Sequence, residues 1–360
     1  MFRGLSVAAM ILVSAPGDWE AVYWPLDHAA WNGWTPTDLV FPFLLFAMGA
    51  AVPISLPRRR DPVRRVHRHV LRRASVLFGL GLLLNAIEAP SRLHGSTFRM
   101  LGVLQRFALV YLAVAWLTER TSRRTQAVVA LVILVGYWAA MLLIPVPGVG
   151  AGVLTPEGNL ASFIDRSLLG AHLAHPMWES EGLLSTLPAV ATALGGVFAG
   201  DWLTRAGRGR HRSASLWLIG VAVAAIGLLW GRVFPINKNL WTSSFALFSA
   251  GMATQLLAIC HWALDVHRWR GWSAPFLAFG RNALAVYFLS VGIDSLLARW
   301  PTDPQAGPSL KWDLYWYGFE SWGSQCCGAK AASLAYAVAY TALFGLLVTL
   351  MHRRRVFIRI

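Results

Sequence analysis

The run from Leu39 to Leu56 reads Leu-Val-Phe-Pro-Phe-Leu-Leu-Phe-Ala-Met-Gly-Ala-Ala-Val-Pro-Ile-Ser-Leu and carries no charged side chain. An α-helix needs about 20 apolar residues to cross the hydrocarbon core of a bilayer. A continuous run favours a helix over a barrel strand, because a lone helix satisfies its backbone hydrogen bonds internally. The preceding Thr35-Pro-Thr-Asp38 fits a capping box. This stretch therefore predicts a transmembrane helix that begins near Asp38.

Similar apolar runs recur along the whole chain. Of its 360 residues, 56% are hydrophobic and 14% are charged, whereas soluble domains carry about 25% charged residues. The sequence predicts one domain over residues 1–360, an all-α polytopic transmembrane bundle of about ten spans, or eleven if 145–182 holds a re-entrant segment. The predicted spans lie at about 4–15, 38–56, 70–87, 101–117, 126–144, 183–199, 216–230, 243–264, 278–298 and 331–351.

Basic residues lie in clusters between the apolar runs, and the formal net charge is +15. Alternate loops carry these clusters, which the positive-inside rule assigns to the cytoplasm together with both termini. The N-terminus shows no pattern of a cleavable signal. Because no basic domain stands outside the apolar runs, the sequence predicts no nucleic-acid partner. The clusters are Arg58–Arg73, Arg120–Arg124, Arg205–Arg212, Arg268–Arg270 and Arg353–Arg359.

Polar residues that suit chemistry gather in the loops predicted to be extracytoplasmic. The first of these loops carries His28 between Asp27 and Asp38. A histidine beside a carboxylate is the usual general-base arrangement, because imidazole titrates near neutral pH. His28 is alternatively an interfacial histidine without chemistry, and Asp38 alternatively only caps the second span. The two roles of Asp38 are compatible.

The polar residues of three later segments also have two alternative interpretations each. Arg106 either meets an anionic partner or extends to the outer surface. Glu181 is either a site residue or a favourable charge at a helix N-terminus. The amides and indole of Asn237, Lys238, Asn239 and Trp241 suit sugar recognition, or form a turn with an interfacial tryptophan.

Arg281 and Asn282 open the ninth predicted span from the inside. Arg281 either binds a phosphate or is one more positive-inside charge. The three cysteines show no metal-binding spacing, and no metal is predicted.

Taken together, these segments resemble the heparan-α-glucosaminide N-acetyltransferase family over nearly the whole chain. The signature segment is His28-Ala-Ala-Trp-Asn-Gly-Trp-Thr-Pro-Thr-Asp-Leu-Val-Phe-Pro42. Other matching motifs follow in the family's order: Phe2-Arg-Gly4, Gly102-Val-Leu-Gln-Arg106, Glu181-Gly-Leu-Leu-Ser-Thr186, Pro235-Ile-Asn-Lys-Asn-Leu-Trp241 and Arg353-Arg-Arg-Val-Phe-Ile-Arg359.

The resemblance implies an acetyl-CoA-dependent transferase that acetylates the amine of a glucosamine-like sugar on the extracytoplasmic side. It implies His28 as the catalytic residue, oriented by Asp38, with Ser14 where the family has an asparagine. Ser14 and Asn32 are candidate oxyanion donors. The expected acceptor contacts are Trp31, Asn32, Glu181, Asn237, Lys238, Asn239 and Trp241, and the expected acetyl-CoA contacts are Arg106, Arg281 and Asn282.

The chain departs from the family pattern at Ser14, at its short start before Phe2, and at Glu179-Ser-Glu181, where Asp-Pro-Glu is usual. The composition suggests a bacterial member in the cytoplasmic membrane, with lipid and an amino sugar as partners and a homodimer as one option. A transporter or an inactive family member is the alternative. The sequence leaves open the acceptor sugar and whether transfer is direct or passes through acetyl-histidine.

Overall fold

The computed structural model describes residues 1–55, 63–89, 98–205, 210–300 and 308–358, without the side chains of 63–66, 205 and 210. Several arginines used for the topology prediction lie outside the described residues, namely Arg58, Arg59, Arg60, Arg208 and Arg359. Arg68, Arg72, Arg73, Arg120, Arg123, Arg124 and Arg212 lie within them.

The described chain is helical and contains no strand, which confirms the all-α prediction. In chain order the helices are α1 (Phe2–Ser14), α2 (Val40–Ser55), α3 (Val63–Glu88), α4 (Val103–Arg120), α5 (Arg123–Leu143), α6 (Leu160–Leu169), α7 (Thr186–Arg205), α8 (Arg210–Trp230), α9 (Ser243–His261), α10 (Ala274–Arg281), α11 (Ala283–Leu297), α12 (Leu310–Tyr315), α13 (Ser321–Cys327) and α14 (Ala329–Arg353).

Fewer helices of the described residues have the length and hydropathy of a membrane span than the predicted ten or eleven. Six helices within the described residues are long and apolar enough to cross a bilayer, or seven if α10 and α11 form one broken span. The first predicted span corresponds to α1, which has only 13 residues. The stretch 145–182, where an eleventh span was considered, holds only the 10-residue α6. The prediction of about ten spans is therefore not confirmed.

The first compact unit comprises Met1–Ala29, Thr35–Phe41 and Trp269–Arg359. Here α1 packs against α10, α11 and α14. The α1–α10 contact is close, because a Cβ on Gly4 would lie 1.7 Å from the carbonyl oxygen of Phe276. Between α10 and α11 the chain bends by 85° at Asn282. The Asn282 carboxamide fills this bend by donating to the carbonyl of Val356 and accepting from the amide of Ile358.

The second unit comprises Ala30–Trp34 and Pro42–Arg268 among the described residues. Its helices pack as the pairs α3–α4, α4–α7, α5–α7, α7–α9 and α8–α9. Small residues bring α2 and α7 together, since a Cβ on Gly49 would meet the carbonyl oxygen of Ala193 at 1.9 Å and one on Gly196 that of Phe46 at 2.1 Å. In lipid the hydrophobic effect does not drive helices together, so close van der Waals packing at small residues drives their association instead.

We expect Gly196→Ala to destabilise the protein, because its methyl group has to displace the backbone of α2. Overpacking of this kind typically costs about 1–3 kcal/mol. Gly136→Ala on α5 is the matched control, since nothing lies within 4 Å of its added Cβ and alanine is the better helix former. Thermal unfolding of both variants in detergent measures the difference. Equal midpoints for the two variants would contradict the close α2–α7 contact.

Candidate functional site

Asp38, in the first unit, is a buried carboxylate that accepts several hydrogen bonds from neighbouring residues. It lies in the 3₁₀ turn Pro36–Leu39, one turn before α2, and its side chain is 2% exposed. Its Oδ2 accepts from the backbone amides of Thr35 at 3.0 Å and Ala29 at 3.1 Å, as the capping box predicts. The Thr35 hydroxyl donates to the carbonyl of Asp27 at 2.6 Å. The turn that carries His28 is therefore fixed to the start of α2.

His28 joins this turn through its ring. Its Nδ1 lies 2.7 Å from Asp38 Oδ1, and its backbone amide donates to Asp27 Oδ1 at 2.7 Å. A carboxylate that accepts from Nδ1–H favours the tautomer in which Nε2 carries the lone pair. The His28 side chain is 46% exposed, whereas that of Asp38 is buried. The geometry is that of an oriented general base, and Asp38 combines the capping and orienting roles that the sequence left open.

Ser14 is the last residue of α1, in the same unit, and is partly buried. Its catalytic role stays a prediction.

A second polar cluster lies within the second unit and is centred on Arg99. This guanidinium donates to Glu179 at 2.6 Å and to Glu181 at 2.5 Å. Burial alone would lower the pKa of Arg99, but the two carboxylates outweigh it and raise the pKa above its ordinary value. For Glu181, burial is outweighed by Arg99 and Arg106, which lower its pKa. Sequence reasoning missed Arg99 and Glu179, although the acidic pair Glu179-Ser-Glu181 was visible.

Arg106 lies inside this unit and is 1% exposed, so the interpretation that it extends to the outer surface is wrong. Its guanidinium donates to the Ser185 hydroxyl at 2.5 Å and to the Gly182 carbonyl at 3.4 Å. It also lies 5.1 Å from the centroid of the Trp241 ring. These contacts connect two of the family-like motifs through one buried cation.

The sequence suggested that the Trp241 ring stacks on a sugar. In the structure Trp241 is 0% exposed, so it presents no face to a sugar. Its indole N–H donates to Thr192 at 3.1 Å, and its edge-to-face neighbour is Phe245. Its φ of 49° is unusual for a bulky residue and marks a turn imposed by its surroundings.

Asn237 is also 0% exposed and holds this turn, since its Oδ1 accepts from the Leu240 amide at 2.9 Å. Its Nδ2 donates to Asn32 Oδ1 at 3.2 Å. The Gly33 amide donates to the Ile236 carbonyl at 2.7 Å, so the segment of residues 30–34 contacts this turn.

The accessible part of this cluster is aromatic and polar. Trp31 is anchored through its indole N–H to the carbonyl of Leu154 at 2.9 Å and contacts the edge of Trp178. His175 stacks on Trp178 with 3.9 Å between ring centroids. Lys238 and Asn239 are partly buried beside the turn. Of the predicted acceptor contacts, Trp31, Asn32, Lys238 and Asn239 remain partly or fully exposed.

The predicted acetyl-CoA contacts are divided between the two units. Arg106 is in the second unit, whereas Arg281 and Asn282 are in the first. Arg281 is exposed, lies 3.2 Å from His352 Nδ1 and stands over the ring of Phe357. Asn282 is buried, and its carboxamide holds the backbone of the C-terminal tail. A structural role for Asn282 is thus shown, and binding roles for all three stay predictions.

Several helices long and apolar enough to cross a bilayer, with a histidine–aspartate pair just before one of them, are typical of a multi-pass membrane protein. Residues 1–232 match the family model described as heparan-alpha-glucosaminide N-acetyltransferase, catalytic, and the chain belongs to that family. It is 29% identical to the heparan-alpha-glucosaminide N-acetyltransferase of Homo sapiens over 79% of this chain and 51% of the relative. The Mus musculus protein is 30% identical over 79% and 52%. The chain spans about half the length of these relatives.

Asp165 on α6 should make folding stability depend on pH. Burial raises its pKa to about 6, although the Leu183 amide at 2.9 Å and Arg106 oppose the shift. The folded state therefore holds the proton more tightly than the unfolded chain. Stability should fall as pH rises from about 4 to about 6, by up to about 3 kcal/mol.

Asp165→Asn keeps an acceptor for Leu183 and removes the titration. Thermal midpoints measured from pH 4 to pH 7 should therefore fall less steeply in this variant than in the wild type. Glu181 acts in the opposite direction, so the difference between the two curves is the informative quantity. Asp265→Asn, at an exposed position, is the control and should follow the wild-type curve. Parallel wild-type and Asp165→Asn curves would contradict the assignment.

Proposed function

We propose that this chain is a membrane-embedded acetyltransferase that moves an acetyl group from cytoplasmic acetyl-CoA to the amine of a glucosamine-like sugar on the extracytoplasmic side. The observation that carries the proposal is the 2.7 Å contact between His28 and Asp38, within the segment that most resembles the family. Membership of an N-acetyltransferase family supports the reaction class. The identity of the acetyl donor, the side of the membrane and the acceptor sugar are proposals.

The proposed chemistry is a nucleophilic acyl transfer. The uncharged acceptor amine attacks the thioester carbonyl, forming the C–N bond, while the C–S bond breaks and CoA leaves. Nε2 of His28 takes the proton from the amine and returns it to the thiolate. Asp38 holds the ring and stabilises the imidazolium, because its carboxylate lies against Nδ1.

The oxyanion formed in this step needs hydrogen-bond donors, for which Ser14 and Asn32 are proposed. A two-step route through acetyl-His28 gives the same overall balance. Trp31, Asn32, Lys238 and Asn239 are the proposed acceptor contacts. Asn237, Glu181 and Trp241 would support these contacts from the interior, given their burial.

Acetyl-CoA is the proposed donor, with Arg106 and Arg281 as proposed contacts for its anionic groups. The proposed location is a bacterial cytoplasmic membrane with both termini inside, and a homodimer stays a prediction. Transport is the second candidate function, because the 85° bend between α10 and α11 resembles the broken helices of transporters. Flux of an unmodified sugar through proteoliposomes would favour it over acetyl transfer.

His28→Ala should lower acetyl transfer from acetyl-CoA to glucosamine about 10²–10⁴-fold, the usual contribution of a positioned general base. Asp38→Asn should cost less, since an amide oxygen still caps the turn. Release of CoA thiol and formation of N-acetylglucosamine by purified protein measure the effect. His211→Ala, an exposed histidine on α8, is the control. Near-full activity of His28→Ala would remove His28 from the mechanism.

The proposed sidedness predicts opposite labelling of two loops. With Cys260, Cys326 and Cys327 replaced by serine, Glu20→Cys should react with an impermeant maleimide from the extracytoplasmic side. Arg124→Cys should react only from the cytoplasmic side, because it lies in a basic loop. Both positions are exposed. Labelling of both from one face would overturn the topology.

A further inference from the structure

Between α11 and α14 the chain forms a helix that does not have the character of a membrane span. α12, a π-helical turn at Trp316–Glu320 and α13 follow one another without a break, so they form one helix over 310–327. This helix 310–327 is not one of the six helices of the described residues that are long and apolar enough to cross a bilayer. It lies in the first unit, where α12 contacts α11 and α13 contacts α14. Its place relative to the bilayer therefore has to follow from its own faces and its connections.

One face of helix 310–327 packs against the rest of the unit. Lys311, Tyr315 and Gly323 are buried, and Phe319 packs beside Tyr336. The rings of Tyr315 and Phe319 meet that of Tyr336 edge to face, with 6.0 and 5.6 Å between centroids. A spacing of four residues would rotate this stripe by about 40° at each step of a regular α-helix. The wider π-helical turn opposes that rotation, so the stripe stays on one face.

The exposed side of helix 310–327 is dominated by large aromatic side chains. Five large apolar or aromatic residues on it are between 39% and 76% exposed. The rings of two of them are stacked, with 6.0 Å between centroids. Indole and phenol rings are the side chains that membrane proteins concentrate at the boundary between lipid and water. The five residues are Trp312, Leu314, Trp316, Tyr317 and Trp322.

The charged side chains of helix 310–327 are buried or only partly exposed. Lys311 Nζ is paired with Asp294 Oδ1 of α11 at 2.9 Å. Glu320 accepts a hydrogen bond from the Tyr315 hydroxyl, and Asp313 is partly buried. A surface made of exposed rings, with the charges drawn toward the unit, suits the edge of a bilayer better than open water.

Both ends of helix 310–327 are attached to helices that can cross the bilayer. α10 and α11 qualify together as one broken span, and α14 qualifies by itself. Gly328 alone separates α13 from α14. Since consecutive spans cross in opposite directions, the segment between them starts and ends on one side of the membrane, whichever side that is. Helix 310–327 therefore does not cross, and its C-terminal end lies at the membrane boundary.

We infer that helix 310–327 is an interfacial helix, which lies along the membrane surface with its exposed aromatic side in the lipid headgroup region. The partner of this side is lipid, because the side continues from the end of a membrane span and is formed by the rings that the boundary favours. Amphipathic helices of this kind bury their apolar face about 5–10 Å into the boundary between headgroups and acyl chains. The inference concerns lipid contact and is independent of acetyl transfer.

This placement also bears on the segment that leads from α1 to the turn that carries His28. A Cβ added to Gly17 would collide with the Tyr315 ring, so the two are in close contact. The Asp18 amide donates to the Ser333 hydroxyl of α14 at 3.1 Å. The interfacial helix and the start of α14 thus hold residues 17 and 18 close to the membrane surface.

The test measures the depth of a fluorophore on the exposed side. With Cys260, Cys326 and Cys327 replaced by serine, Trp316→Cys and Trp322→Cys are each labelled with bimane in the full-length protein. The protein is placed in nanodiscs of phosphatidylcholine that carries a nitroxide either near the glycerol or near the end of one acyl chain. The shallow nitroxide should quench both labels at least about twofold more strongly than the deep one, as expected for an interfacial depth.

Glu157→Cys is the control, since it is an exposed position in a loop of the second unit, and neither nitroxide should quench it. Two labelled positions on the helix are used because one substitution alone could disturb packing, and thermal midpoints establish that each variant is folded. Shallow quenching in protein without acetyltransferase activity would sustain the inference and count only against the proposed function. Stronger quenching by the deep nitroxide would place the helix in the bilayer core. Quenching no greater than that of the control would place its aromatic side in water or under another protein copy, and either result would overturn the inference.

Discussion

The hydrogen bonds of the Asp38 carboxylate are the interactions on which the turn that carries His28 depends. This carboxylate is almost fully buried, and a buried carboxylate is tolerated only when hydrogen bonds satisfy its oxygens. The amides of Thr35 and Ala29 donate hydrogen bonds to Oδ2, and the His28 ring is hydrogen-bonded to Oδ1. The same group therefore begins a membrane helix and orients an imidazole, so the start of α2 and the candidate base cannot vary independently.

The second unit also buries charged side chains, and it does so by placing several of opposite sign together. Arg99 and Arg106 are both extensively buried, and Glu179, Glu181 and Asp165 lie close enough to influence them. Two guanidiniums among three carboxyls leave the cluster near neutrality if Asp165 is protonated, as burial favours. This arrangement tightly couples α6, the segment 179–185 and the start of α4, which carry motifs far apart in sequence.

Sequence patterns predicted the helical class and singled out His28 and Asp38, because apolar runs and capping residues act locally. The predicted number of spans is not confirmed, because hydropathy does not reveal that α1 has only 13 residues or that α10 and α11 meet at 85°. Sequence patterns also placed Trp241 on the substrate, since an indole in a polar loop gives no sign that Thr192 and Phe245 enclose it.

The sequence by itself determined that the chain is helical, apolar along its length and built around the His28–Asp38 segment, since these properties follow from composition and local spacing. Only the tertiary structure decided which carboxylates meet Arg99 and that Arg106 is enclosed. The physical reason is that such contacts join residues about 80 positions apart in the sequence. Their formation depends on helix packing and burial, which no local pattern encodes.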